Sequence, residues 1–247
     1  METTNEYNLI PGIRRSFGTG WRVMSDNFLR LLLIVIIVSI LVAPFKMLNF
    51  KFDPSDFPGV PWNFNGDWEH FAGLASLGIF AAFFGLVAFI YAFLVAPVFE
   101  YGYNLIFVQA VRRIKPDFEQ LIRGFMDNYL HIILANLLVF ALIVMGFFAL
   151  VIPGIIIACR LAFVSYLVMD KKLDPIEAVE RSWKLTKGHG WKVFFMAIMS
   201  FFIIIFGLIL FIVGIFPAIA WVSASFASLY QSVLNEKERP VEPVVAS

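Results

Sequence analysis

The sequence predicts an all-α polytopic membrane protein. Six transmembrane helices form three parallel hairpin units, with amphipathic helices at the cytoplasmic interface. Three observations carry this reading. Hydrophobic residues make up 60% of the 247 and charged residues only 15%, whereas globular chains run near half apolar and about a quarter charged. The charges fall in short blocks between long uncharged runs. One of these, Phe71 to Phe99, holds no charge for 29 residues, and roughly 20 apolar residues cross a bilayer core. Finally, Lys and Arg crowd alternate loops, the pattern that orients membrane helices.

Taken in order, residues 1–27 read as a cytoplasmic amphipathic segment, 28–235 as the six-span membrane domain and 236–247 as a cytoplasmic tail. The first segment is polar or amphipathic and carries Arg14, Arg15 and Arg22. A cleavable signal peptide would place a short apolar stretch almost at the start, so the first apolar run is expected to stay as an anchor. The predicted spans are Phe28 to Phe45, Phe71 to Pro97, Tyr129 to Val151, Pro153 to Met169, Trp191 to Val213, and Phe216 to Val233. Pro and Gly permit tight reversals at Ile152-Pro153-Gly154 and Val213-Gly214-Ile215-Phe216-Pro217.

Direction follows from the cations. Sixteen of the nineteen Lys and Arg lie in segments that alternate to one side, and only Lys46 and Lys51 fall opposite, where Asp53, Asp56, Asp67 and Glu69 outnumber them. Both termini are therefore expected in the cytoplasm. Trp21, Trp183 and Trp191 fall near the inner interface and Trp62 and Trp68 near the outer one, where indole rings are favoured.

A threefold repeat is expected. Amphipathic helices begin near Pro11, Pro116 and Pro175, each before an odd-numbered span and each with apolar residues three and four apart. Asp26-Asn27-Phe28-Leu29 opens span one as Asp127-Asn128-Tyr129-Leu130 opens span three, and His189-Gly190-Trp191-Lys192 holds the same place before span five. The units cover roughly 11–115, 116–174 and 175–239. In the third helix Asp174, Pro175 and Glu177 spell a capping box, Glu177 with Arg181 and Glu180 with Lys184 are spaced as ion pairs, and Gly188 is a stop. Ala88, Ala92 and Ala96, and likewise Ala220, Ala224 and Ser228, set small residues at every fourth position, which lets helices approach closely in lipid.

The sharpest chemical anomaly is Arg160, seven residues into span four. An arginine at mid-depth costs about 2.5–3.5 kcal/mol on insertion scales, and the acidic residue expected at similar depth is Glu100. Arg160 and Glu100 are the candidate intramembrane polar pair, with Asn104 or Asn136 as supporting partners. Three roles stay open for Arg160: an ionic staple between hairpins, solute or proton handling, and snorkelling to headgroups. Arg14, Arg15, Arg22, Arg112, Arg113 and Lys115 are candidate anionic-lipid contacts beside the inner aromatic faces, although positive-inside topology alone also accounts for them. The outer loop from Asn49 to His70 lacks EF-hand spacing. His70, His131 and His189 form no metal motif, and Cys159 reads as a packing residue. No GxSxG, P-loop or CxxC is present. The expectation is therefore no enzyme activity, no metal and no cofactor. The net charge of +1 gives no case for nucleic acid.

Ile152-Pro153-Gly154, Arg160, Asp170, Pro175-Ile176-Glu177-Ala178 and Ser182 to Gly188 together resemble a broad group of prokaryotic six-helix inner-membrane proteins. The group includes YciC-like envelope proteins, and the stretch is also similar to the membrane domain that precedes some glycerophosphodiester phosphodiesterases. The resemblance covers about residues 90–235 and implies a six-helix inner-membrane fold and a part in envelope homeostasis. It supplies no catalytic residues, and the phosphodiesterase domain is missing. The expected function is a non-enzymatic multi-pass inner-membrane protein, a scaffold or lipid-associated envelope component. The alternative is a small-solute transporter or permease subunit with Arg160 and Glu100 in a central polar site.

Overall fold

A computed structural model of the chain describes residues 11–47, 83, 85–116, 118–119, 121, 129–209 and 214–238. These residues are almost wholly helical, with no strand among them. The helices are α1 (Ile13–Asp26), α2 (Phe28–Met47), α3 (Ala96–Val111), α4 (Tyr129–Ala149), α5 (Val151–Leu161), α6 (Val164–Lys171), α7 (Pro175–Thr186), α8 (Gly190–Ile209) and α9 (Ile215–Glu238). A turn at Val95 joins helical residues 85–94 to α3.

Four stretches are long and apolar enough to cross a membrane: Gly85–Val111, Tyr129–Phe148, Val151–Lys171 and Gly190–Ile209. A fifth is counted if α1 and α2 form one broken span. Their outward residues are greasy; Phe148, Ile209 and Phe206 are all exposed. Water tolerates such patches poorly, whereas a bilayer is an apolar solvent for them. Association with a membrane follows.

α9 is long but less apolar than these four, because Ser223, Ser225, Ser228, Gln231, Ser232 and Asn235 dilute it. It is instead the centre of the bundle, packed against α1, α2, α3, α7 and α8. Ala220, Ala224 and Ser228 are all buried, so the expected small-residue stripe lies inside the packing. The stripe on the second span is mixed, with Ala88 buried and Ala92 exposed.

α1 and α2 meet at 96°. The break falls at Asn27, whose backbone N–H and side-chain amide both donate to the Val23 carbonyl (3.2 and 3.3 Å). Asn and Asp favour such helix ends because their side chains compete for backbone groups. On α1, Ser16, Gly20, Val23 and Met24 face inward. Gly20 lies so close to α9 that a Cβ there would stand 2.7 Å from the Ser225 nitrogen. The Trp221 indole donates to the Phe17 carbonyl at 3.0 Å and lies edge-on to Trp21 at 5.1 Å. α1 is thus docked on α9.

Several boundaries differ from the sequence reading. Pro97 was expected to close the second span, yet the helix continues to Val111. Pro97 stands in the first turn of α3, where the missing N–H costs no intrahelical bond. The reversal near Pro153 is made by Leu150 alone, in extended geometry, and Pro153 and Gly154 belong to the first turns of α5. Residues 236–238, assigned to the tail, are the last turn of α9. The whole outer loop from Asn49 to His70, the start of the second span, most of the segment expected to form a helix after Pro116, and residues 210–213 at the second expected reversal lie outside the described residues.

α7 starts at Pro175 behind an extended Asp174 and stops before Gly188, whose φ of +90° suits glycine alone. The capping box does not form: Asp174 makes no side-chain cap bond, and its carboxylate meets Nε2 of His131 on α4 at 2.9 Å. Glu180 and Lys184 pair at 3.6 Å. Arg181 turns from Glu177 to Glu238 of α9, at 2.6 Å.

Candidate functional site

Three helices end together, and their ends are tied by one polar cluster. α3 stops because Arg113 adopts a left-handed φ of 61°, and α6 stops because Lys172 does the same at 52°. Each of these cations stands three residues before a proline, Pro116 or Pro175. Lys237 keeps that spacing to Pro240. A cation at a helix C-terminus faces the negative end of the backbone dipole.

Inside this ring lies Asp170. Arg112 grips it with both terminal nitrogens, at 2.5 and 2.7 Å. The Tyr230 hydroxyl donates to the same carboxylate at 2.9 Å. Arg112 Nε donates to Gln231 Oε1 at 2.8 Å, and the Gln231 amide donates to Asn235 at 2.7 Å. The Asp170 side chain is only 5% exposed. A two-pronged guanidinium–carboxylate pair with its spare lone pairs filled is the geometry that tolerates burial. On the rim, Lys171 and Arg181 both donate to Glu238, at 3.1 and 2.6 Å. Burial alone would raise the Glu238 carboxyl, but these two hydrogen bonds and charges outweigh it and hold it below its ordinary range. Nearby, His189 Nε2 meets Glu236 at 3.4 Å.

The structure does not bring Arg160 and Glu100 together. No ion pair joins them among the described residues, and Glu100 is exposed. Arg160 instead lies over the Trp183 ring, its Cζ 5.6 Å from the centroid, and its Nη1 is buried without an acceptor. Its backbone carbonyl is better served: Ser182 Oγ donates to it at 2.7 Å and Thr186 Oγ1 at 3.2 Å. Two hydroxyls of α7 thus cap the end of α5. The outer face of α7 exposes Asp174, Glu177, Glu180, Arg181, Lys184 and Lys187. Six charges on one face need water or headgroups, so Arg160 is grouped with a polar boundary rather than with a mid-depth partner. Asn104 donates to Ser165 at 3.1 Å, and Asn136 is half-buried on α4; neither serves Arg160.

Among the candidate lipid contacts, Arg14, Arg15, Arg22, Arg113 and Lys115 are exposed. Arg112 is not available for that role, because Asp170 and Gln231 occupy its guanidinium. Residue-by-residue reading passed over Asp170, Tyr230 and Gln231. The available signal was the acid closing a long apolar run at Asp170 and the cation Arg112 closing another, four residues before Pro116. Among the described residues no three His, Cys, Asp or Glu side chains stand together as a metal site.

Two open grooves border α7. One, of about 330 Å³, runs between α7 and the end of α9 and is lined by Glu177, Glu180, Arg181, Lys184, Lys237 and Glu238 among others. The other, of about 780 Å³, lies between α4 and α7 and is lined chiefly by Leu134, Leu137, Leu138, Ala141 and Ile176, with Asp174, Glu177 and Glu180 on its rim.

Compared with known protein families, curated proteins and solved structures, the chain matches none of them.

Proposed function

We propose that the chain is a non-enzymatic, six-span inner-membrane protein with cytoplasmic termini, acting as a lipid-associated scaffold of the envelope. One observation carries the lipid part. α1 runs at 96° to α2, buries Ser16, Gly20, Val23 and Met24 and exposes Arg14, Arg15, Trp21 and Arg22. A helix crossing a span at a right angle, cationic and aromatic on its free face, is built to lie in the inner headgroup layer. The sixth span would be α9, which can be polar because its neighbours shield it from lipid. Three parallel hairpin units are supported by the shared helix ends at Arg113 and Lys172 and by the matching prolines. The YciC-like resemblance agrees with this reading, since Arg160, Asp170, Ser182 and Gly188 all sit at structural joints. The transport reading required Arg160 and Glu100 to converge, and it loses that support.

Arginines at a membrane surface contribute about 1 kcal/mol each toward anionic lipid, a factor of about five. The full-length R14Q/R15Q/R22Q variant is therefore expected to copurify with phosphatidylglycerol at a fraction reduced by at least about fivefold. An unchanged lipid profile would count against the proposal.

A further inference from the structure

Arg160 lacks a partner that its chemistry requires. A guanidinium presents five N–H donors and accepts nothing. No described residue offers any of them an acceptor, and Nη1 is sealed from solvent in that condition. Among the described residues the charged end meets Trp183, an exposed indole whose face attracts cations. The residue as a whole is partly exposed, and Nε and Nη2 are not sealed as Nη1 is, so an outside group can reach the guanidinium through those two nitrogens. A charged donor left this way beside a lipid-facing surface calls for an anion, and a phosphate takes a guanidinium in two-pronged fashion.

The surroundings say which phosphate. Ile176, Glu180 and Trp183 are spaced four and three apart, one stripe of α7. Ile176 and Glu180 line the groove against α4, whose floor is Leu134, Leu137, Leu138 and Ala141. An acyl chain fits such a floor. The rim carries carboxylates rather than further cations. Asp174 is engaged by His131 and Glu180 by Lys184, whereas Glu177, its expected partner Arg181 being drawn to Glu238, makes no ion pair among the described residues. A headgroup bearing both a phosphate and an ammonium would satisfy Arg160 and Glu177 together, and a purely anionic headgroup would meet repulsion from the rim.

We propose that Arg160, Trp183 and Glu177 form a site for one amine-bearing phospholipid of the inner leaflet, its phosphate on Arg160, its ammonium toward Glu177 and an acyl chain in the groove between α4 and α7. This rests on the membrane reading above and goes beyond it in naming a single lipid site.

The test uses the whole chain, stripped of lipid in detergent, given one lipid at a time and read by native mass spectrometry. Wild type is expected to hold phosphatidylethanolamine about tenfold more tightly than phosphatidylcholine or phosphatidylglycerol of the same chains, because ethanolamine donates hydrogen bonds that choline cannot. Arg160→Gln should lower retention about tenfold, and Glu177→Gln should abolish the preference for ethanolamine over choline while binding persists. Trp183→Phe, at an exposed position, keeps the fold and should weaken retention severalfold. Equal retention of the three lipids by wild type would overturn the proposal, as would unaltered phosphatidylethanolamine binding in the Arg160 and Trp183 variants. Displacement of the lipid by inorganic phosphate alone would assign the site to free phosphate and overturn it too. The α1 triple-arginine variant separates the two claims. Loss of its phosphatidylglycerol effect, with Arg160-dependent retention intact, would sink only the surface-lipid reading.

Discussion

Asp170→Ala is expected to destabilise the protein by about 3–5 kcal/mol, the range for removing one partner of a buried ion pair. The substitution removes the carboxylate that the Arg112 fork and the Tyr230 hydroxyl share at the point where α3, α6 and α9 meet. Thermal unfolding in detergent, followed by helical signal, would measure the effect as a large fall in midpoint. The geometry orders the neighbouring variants. Tyr230→Phe removes one hydrogen bond and should cost about 1–3 kcal/mol, because the charge it serves is buried. Arg112→Lys keeps the charge but loses the fork and should fall between the two. The double replacement Arg112→Met with Asp170→Leu should be milder than Asp170→Ala alone, since no charge is left without its partner. If Asp170→Ala unfolded like wild type, the cluster would be an ornament of these helix ends rather than their tie.

Gly20→Leu carries the second large expectation. Any Cβ at position 20 would collide with Ser225 Oγ and stand 2.7 Å from its nitrogen and 2.8 Å from its Cα. Two of these atoms are backbone, and Oγ is already donating to the Trp221 carbonyl at 2.7 Å. The neighbour has nowhere to go, so α1 must leave α9. Overpacking of this kind costs about 1–3 kcal/mol and more for a large side chain. The loss includes the Trp221 hydrogen bond to Phe17 and the contact of Trp21 with Trp221. Tryptophan fluorescence and protease access at α1 should both change. Gly18→Ala is the matched control. It lies on the same helix with nothing within 4 Å, and should stabilise by about 0.5–1 kcal/mol through helix propensity. Equal behaviour of the two variants would mean that α1 does not dock where the structure places it.

How much could be read in advance depends on how local each cause is. The start and stop of α7 were readable because Pro175 and Gly188 act through their own backbone geometry. Its cap and one of its ion pairs were not, because Asp174 and Arg181 have better partners on α4 and α9, which spacing along one helix cannot reveal. The run of apolar residues located the second span but misplaced its end at Pro97, since proline breaks a helix only from within and here stands in a first turn. Arg160 was visible as a charge among apolar residues. Its contacts were misjudged because depth was counted along the chain, while α7 packs beside it through Ser182 and Thr186. The true meeting point of charges, Arg112 with Asp170, joins residues 58 positions apart, and only the packing of helix ends brings them together. The last apolar run, Phe216 to Val233, lies within the helix α9, and its Ala220, Ala224 and Ser228 stripe, legible as small residues at every fourth position, lies inside the packing.

The most direct test of the membrane architecture is labelling of single cysteines with an impermeant maleimide, in a Cys159→Ser background. Cysteines placed at Lys184 and Lys237 should react only after the cell membrane is opened, and one at Trp62 should react in intact cells. Labelling of Trp62 and Lys184 from the same side would contradict the arrangement of spans on which the inner-face cluster, the α1 surface and the lipid site all depend.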